Sequence, residues 1–284
     1  MVYLLATTLL GFAIFVVFRL FRKFGIDNLH AITANYAVAT VISYLAYDHR
    51  VTAGMILDAS WFPFVLLIGA LFIGVFFLFA HSAQKAGVAV TAVSSKMSVA
   101  IPAAAGFIFF SEDFSMIKIV GIVAALLAFY LTFKNKDKLV TDWKTLYLPF
   151  FLFLGTGLND LLMKTADYHY IEDDLLLLLS VIFFVALIIG GLLLSFKLLG
   201  NINKLDPKSL VAGMLLGLVN FGSTYFLFKS MEYFDSSLMF PVRNTGIVVL
   251  SALAGYFVFN EKLNRTNWTG ILLAVVAILL VAAG

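Results

Sequence analysis

The sequence predicts an all-α membrane protein, with ten transmembrane helices arranged as two inverted five-helix repeats. Three observations carry this prediction. Hydrophobic residues make up 62% of the 284 and charged residues only 12%. The chain divides into ten apolar runs of about bilayer length, and parts of the first half recur 149 positions later. Thirty Phe, eleven Tyr and three Trp would give a soluble domain large exposed apolar patches, whereas lipid tolerates such an exterior.

A helix rising about 1.5 Å per residue needs roughly 20 apolar residues to cross about 30 Å of hydrocarbon. The first run, 2–18, lacks a basic leading region and a small-residue cleavage site and runs into Arg19, Arg22 and Lys23, so it is expected to be a retained helix. The second, 31–47, holds Asn35 and Tyr36, and the third, 62–79, starts just after Trp61. The fourth, 88–110, contains Lys96 and Pro102; the fifth, 116–133, opens around Gly121. The sixth, 146–163, follows Trp143 and contains Asp160, and the seventh is 175–196. The eighth, 210–228, places Gly213 and Gly217 four apart, a spacing that lets helices approach closely. The ninth, 237–259, holds Pro241 and Arg243, and the tenth is 268–283, beginning at Trp268. Tryptophans at the starts of spans suit the headgroup region, and the connections are short and rich in Asp, Asn, Lys, Gly or Pro, as turns are.

Sliding the chain against itself by 149 residues superposes Phe77-Leu78-Phe79 on Phe226-Leu227-Phe228, Gly106 on Gly255, Glu112 on Glu261 and Gly121 on Gly270. Spans 3 to 5 thus match spans 8 to 10 without a gap. Five is odd, so matched helices are expected to cross the membrane in opposite directions. Residues 1–134 and 146–284 are the expected repeats, joined by the loop 135–145. Inverted repeats place a binding site near the midplane, between halves that can rock.

In both halves a span ends in an acidic residue and the next opens with glycine: Phe-Phe-Ser-Glu112-Asp-Phe before Gly121, and Val-Phe-Asn-Glu261-Lys-Leu before Gly270. With the ten spans, this pattern resembles the EamA-like branch of the drug/metabolite transporter superfamily along the whole chain. The resemblance implies a ten-helix secondary transporter of metabolites, often an exporter of amino acids or similar solutes, in the inner (plasma) membrane. Its motifs are largely structural and do not report substrate.

Of the nineteen Lys and Arg, only Lys96 and Arg243 fall clearly inside spans, where a cation costs at least about 2.5–3.5 kcal/mol. Lys96 is expected roughly 12 Å inside one face and Arg243 roughly 9 Å inside the other, close enough for both to flank one ligand. Arginine offers a planar fork for carboxylate or phosphate and lysine a point charge; Ser94, Ser95 and Asn244 beside them would add hydrogen bonds. The competing readings are snorkelling of Arg243 to the interface and an internal ion pair at Lys96. Asp160 is the acid within a span: a local pair with Lys164 four residues on, the partner of Lys96, or a proton-coupling carboxylate, a role open to Lys96 as well. Asn35, Asn220, Thr224 and Tyr225 either pack between helices or line a cavity. Glu112 and Glu261, at matched helix ends, are expected to cap or hinge, accepting bonds from amides of the next helix.

The function classes left without support are clear. With no Cys, thiolate metal sites and cysteine nucleophiles are excluded. The four histidines show no metal spacing, no Gly-x-Ser-x-Gly elbow is present, and neither a cofactor nor a metal is expected. A net charge of +3, spread over short loops, gives no nucleic-acid surface. The expected partners are a small-molecule substrate, the bilayer and protons as coupling ion, with phosphorylated or nucleotide-linked solutes as the alternative substrate class and a channel or membrane-embedded enzyme outside transport. Odd-numbered loops hold thirteen basic residues and even-numbered ones four, which puts both termini outside the cytoplasm, whereas the resemblance implies both inside.

Overall fold

A computed structural model describes residues 1–47, 52–109, 115–133, 143–170, 175–200, 205–234 and 236–283. These are helical, with no strand among them. The helices are α1 (Val2–Phe24), α2 (Asn28–Ala46), α3 (Ala53–Leu57), α4 (Phe62–Lys85), α5 (Val88–Met97), α6 (Ala100–Phe109), α7 (Met116–Phe133), α8 (Trp143–Tyr170), α9 (Leu175–Leu199), α10 (Pro207–Met231), α11 (Ser236–Phe257) and α12 (Arg265–Ala283). Seven helical stretches among the described residues are long and apolar enough to cross a membrane, with shorter apolar stretches at Met116–Thr132 and Tyr147–Met163.

Local chemistry sets several of the boundaries. Gly25 ends α1 in the left-handed region, at φ 63°, and its amide returns to the Arg22 and Phe21 carbonyls. Asp27 caps α2 by accepting from the amides of Leu29 and His30, and Asp206 caps α10 just ahead of Pro207.

Two departures from the sequence expectation have local causes. Thr52 accepts from the Met55 amide and nucleates the five-residue α3, a turn too short for a hydropathy reading to detect. The expected fourth span is two helices, α5 and α6, broken at Ser98 and Val99. Pro102 lacks the amide that would return to the Ser98 carbonyl, and its ring crowds that carbonyl. The Ser98 hydroxyl instead donates to the Ser95 carbonyl at 2.5 Å, and the turn closes through Ile101 N to Ser98 O at 2.9 Å.

The apolar interior falls into two main clusters. Phe18, Phe21, Ile32, Tyr36, Ile73, Phe183 and Leu216 hold α1, α2, α4, α9 and α10 together. Val93, Met97, Ala125, Phe153, Val248, Ala274 and Ile278 hold α5, α7, α8, α11 and α12. Between them, Phe15, Val88, Ala92 and Ile247 form a small buried plug.

Some helix contacts in the first half of the chain have counterparts in the second. Helix α1 packs on α10 and α11, and α8 packs on α4, α5 and α6. Helix α2 packs on α9 and α10, while α9 packs on α2 and α4. Helices α7 and α12, and likewise α5 and α11, pack on each other. The α7–α12 pair is antiparallel: a Cβ on Gly121, near the start of α7, would lie 2.7 Å from the Val281 nitrogen near the end of α12. A Cβ on Gly270, near the start of α12, would lie 2.7 Å from the Thr132 nitrogen at the end of α7.

Candidate functional site

Arg243 projects from α11 across the bundle. Thr7 on α1 and Ser223 on α10 bond reciprocally, Thr7 Oγ1 donating to the Ser223 carbonyl at 2.7 Å and Ser223 Oγ to the Thr7 carbonyl at 3.4 Å. Their donor hydrogens are thereby committed, so both hydroxyl oxygens face the guanidinium as acceptors. Thr7 Oγ1 accepts from Nε at 2.9 Å and Ser223 Oγ from Nη2 at 3.1 Å. The guanidinium reaches them by passing over Gly11, where a Cβ would lie 3.2 Å from Nη2. Arg243 is therefore turned into the protein and does not snorkel to an interface. Its Nη1 has no hydrogen-bond partner among the described residues.

Lys96 lies in the last turn of α5, just before the break at Ser98. The break leaves carbonyl groups at the end of α5 without continuing helical partners, and a cation there is favoured by the helix dipole. Among the described residues the Lys96 side chain makes neither a hydrogen bond nor an ion pair.

Asp160 supplies the opposite charge. It lies within about one residue's rotation of the α8 face that carries buried Phe153 and Gly157, and opposite exposed Phe151 and Leu158. Its exposed side chain thus opens toward the interior of the bundle. Lys96, Asp160 and Arg243 interact electrostatically with one another, yet among the described residues no two of them pair directly. Two cations and an anion thus stand on three helices, all with accessible surface and none in direct contact with another. The Lys164 side chain lies outside the described ones, as does Glu112.

Residues 175–283, which include Arg243, Asn244, Asn220 and Glu261, match the model of the EamA-like transporter family. This part of the chain is similar to that family. The match is consistent with the drug/metabolite transporter superfamily, and membrane transport is the activity that goes with it. An uncharacterized protein of Haemophilus influenzae is 26% identical over 283 residues, covering 97% of this chain and 95% of its own. A solved crystal structure aligns over 98% of both chains with a TM-score of 0.58 at 11% identity, which shows a shared fold.

The other expected residues divide by position. Asn220 Nδ2 donates to Asn35 Oδ1 at 3.2 Å in the buried seam between α10 and α2. There Gly213 and Gly217 lie so close to the Ala31 and Asn35 backbone that a Cβ would clash. Thr224 bonds back to the Asn220 carbonyl at 3.2 Å. Tyr225 is exposed and stacks on Phe221. Ser94 is buried and bonds back to the Val90 carbonyl, and Ser95 is buried beside it. Asn244, next to Arg243, keeps accessible surface and has no hydrogen-bond partner among the described residues.

Glu261 does cap a helix, but not the one that follows it. Its Oε1 accepts from the Val88 amide at 2.5 Å and its Oε2 from the Ala89 amide at 3.2 Å, at the start of α5. Burial pushes its carboxyl up from the ordinary value, against the lowering effect of those two amides. Sequence reading missed Thr7, because a single hydroxyl in an apolar helix carries no pattern until its partner across the bundle is known.

Proposed function

We propose that this EamA-like protein is a secondary active transporter of the inner membrane, working as an exporter of a small polar metabolite such as an amino acid or another carboxylate. The observation that carries the reading is the unpaired triad of Lys96, Arg243 and Asp160, on α5, α11 and α8. Uncompensated charges inside a membrane protein mark solute or ion pathways. The free Nη1 of Arg243 and the Lys96 ammonium would hold a carboxylate; Asn244, Ser94 and Ser95 are the nearest polar residues in sequence. Asp160 and Lys96 are the groups available for proton coupling.

Ten spans, as two inverted repeats at 1–134 and 146–284, supply the alternating-access frame. Antiparallel packing of α7 on α12 and the partial correspondence of helix neighbours support that frame. The mid-membrane break after Lys96 does so too, since discontinuous helices with exposed end groups commonly form transporter sites.

Uptake of labelled amino acids and other small carboxylates into proteoliposomes tests the proposal. The expected result is saturable flux that responds to a pH gradient or to counterflow and is lost in Lys96→Met. Flux of phosphorylated solutes alone would overturn the carboxylate assignment, and unsaturable conductance would overturn the transporter.

A further inference from the structure

Three helices approach the charged site in register, and each contributes to three successive layers. On α1 these are Gly11, Phe15 and Arg19, one turn apart; on α5, counted in the reverse direction, they are Lys96, Ala92 and Val88. On α11 and the segment after it they are Arg243, Ile247 and Phe259 with Glu261. The innermost layer is the site itself. The middle layer is the dry plug of Phe15, Ala92 and Ile247, closed off with Val88.

The outer layer is polar and joins distant parts of the chain. Arg19 Nη1 donates to the carbonyls of Ala83 and Gln84 at the end of α4, at 3.1 and 2.7 Å, while its guanidinium lies over the Phe259 ring at 5.9 Å. Glu261 accepts from the first amides of α5. The corner between α4 and α5 is thus held by a cation on its carbonyl end and an anion on its amide end, each matching the local helix dipole. Room for the carboxylate is built in. Gly87 adopts φ +104°, and a Cβ there would meet Glu261 Oε1 at 2.7 Å; Gly255 faces the same carboxylate. Other ties that cross from residues 1–134 to the rest include Asp27 with Lys197, Lys208 with the Phe24 carbonyl, the Asp27 amide with Ser209 Oγ at 2.7 Å and, at the α7–α12 seam, Asn267 Nδ2 with the Thr132 carbonyl at 2.8 Å. Among these contacts it is the Glu261 carboxylate that holds the start of α5, directly beside the plug.

We propose that Glu261 is the latch of a gate: by holding the α5 N-terminus it keeps the Phe15–Ala92–Ile247 plug shut over the Lys96–Arg243 site, and it must let go of Val88 and Ala89 for the site to open on this side. The inference rests on the transport reading for its purpose, because a gate matters only where a solute passes. Its test does not depend on flux.

The chain contains no cysteine, so a single reporter can be read cleanly. In the purified full chain, Ala92→Cys reports the plug and Ala125→Cys, buried in the α7–α12 region, reports general loosening. Loss of a charge-assisted hydrogen bond to backbone amides is expected to raise the labelling rate at residue 92 about tenfold in Glu261→Gln, with residue 125 unchanged. Glu261→Asp, which keeps the charge on a shorter arm and preserves folding if the glutamine variant does not, should fall between. Equal acceleration at both reporters, or none at residue 92 in either variant, overturns the latch. Absence of solute flux alongside a tenfold effect at residue 92 would instead count against the transport reading and leave the latch standing.

Discussion

Gly121 lies against the backbone nitrogen of Val281, and the positions 149 residues from each, Gly270 and Thr132, meet in the same way. One contact made twice between antiparallel helices is what a local two-fold relation between α7 and α12 produces. It has a mutational consequence. Gly121→Val and Gly270→Val should each overpack the seam and destabilise the protein by about 1–3 kcal/mol, seen as similar falls in melting temperature. A large effect at one glycine and none at the other would contradict the paired geometry.

The Asn35–Asn220 bond belongs to the seam between α2 and α10 and is walled off by Gly213 and Gly217. Asn220→Ala should cost about 0.6 kcal/mol, an average value for such bonds within membranes, and leave the substrate concentration for half-maximal uptake within twofold. A tenfold change in that concentration would return the pair to the solute pathway.

Arg243 is oriented by two hydroxyls that can only accept. Lysine keeps the charge but cannot span Thr7 and Ser223 with a fixed fork. Arg243→Lys should weaken half-saturation for a carboxylate about tenfold, with the melting temperature changed far less than by either glycine substitution. Uptake kinetics beside a thermal melt separate the two effects.

At the loop between α1 and α2, burial alone would raise the Asp27 carboxyl. Hydrogen bonds from Lys197 and His30 outweigh that and bring it from 3.8 down to about 2. Because its folded value is depressed, its contribution to stability is complete above about pH 4 and is lost as pH falls toward 2. Wild type should melt higher than Asp27→Asn at pH 7, and the gap should close progressively below pH 4. A gap that widens on acidification would show that the sign is wrong.

Much of this was legible because lipid imposes long-range order on composition. Apolar runs of bilayer length marked the helices, and the 149-residue offset anticipated that Gly121 and Gly270 would play matching parts. Lys96 and Arg243 were conspicuous because hydrocarbon makes a cation expensive. Direction was not legible: only the Thr7–Ser223 pair, contributed by residues 216 apart, turns Arg243 inward. The break after Lys96 was foreshadowed by Pro102, but the Ser98-to-Ser95 bond that completes it is local geometry. Glu261 was expected to serve the helix after it. It serves α5 instead, where the positive-φ Gly87 and the bare Gly255 leave space for its carboxylate.

The central claim is that Lys96 and Arg243 share one water-filled hollow between the helices. Thiol reagents attack the thiolate, which needs water, so Lys96→Cys and Arg243→Cys can be exposed separately to a charged, water-soluble thiosulfonate in proteoliposomes. Both positions should react, and one small carboxylate should slow both. Two inert cysteines, as acyl chains around them would produce, would contradict the account.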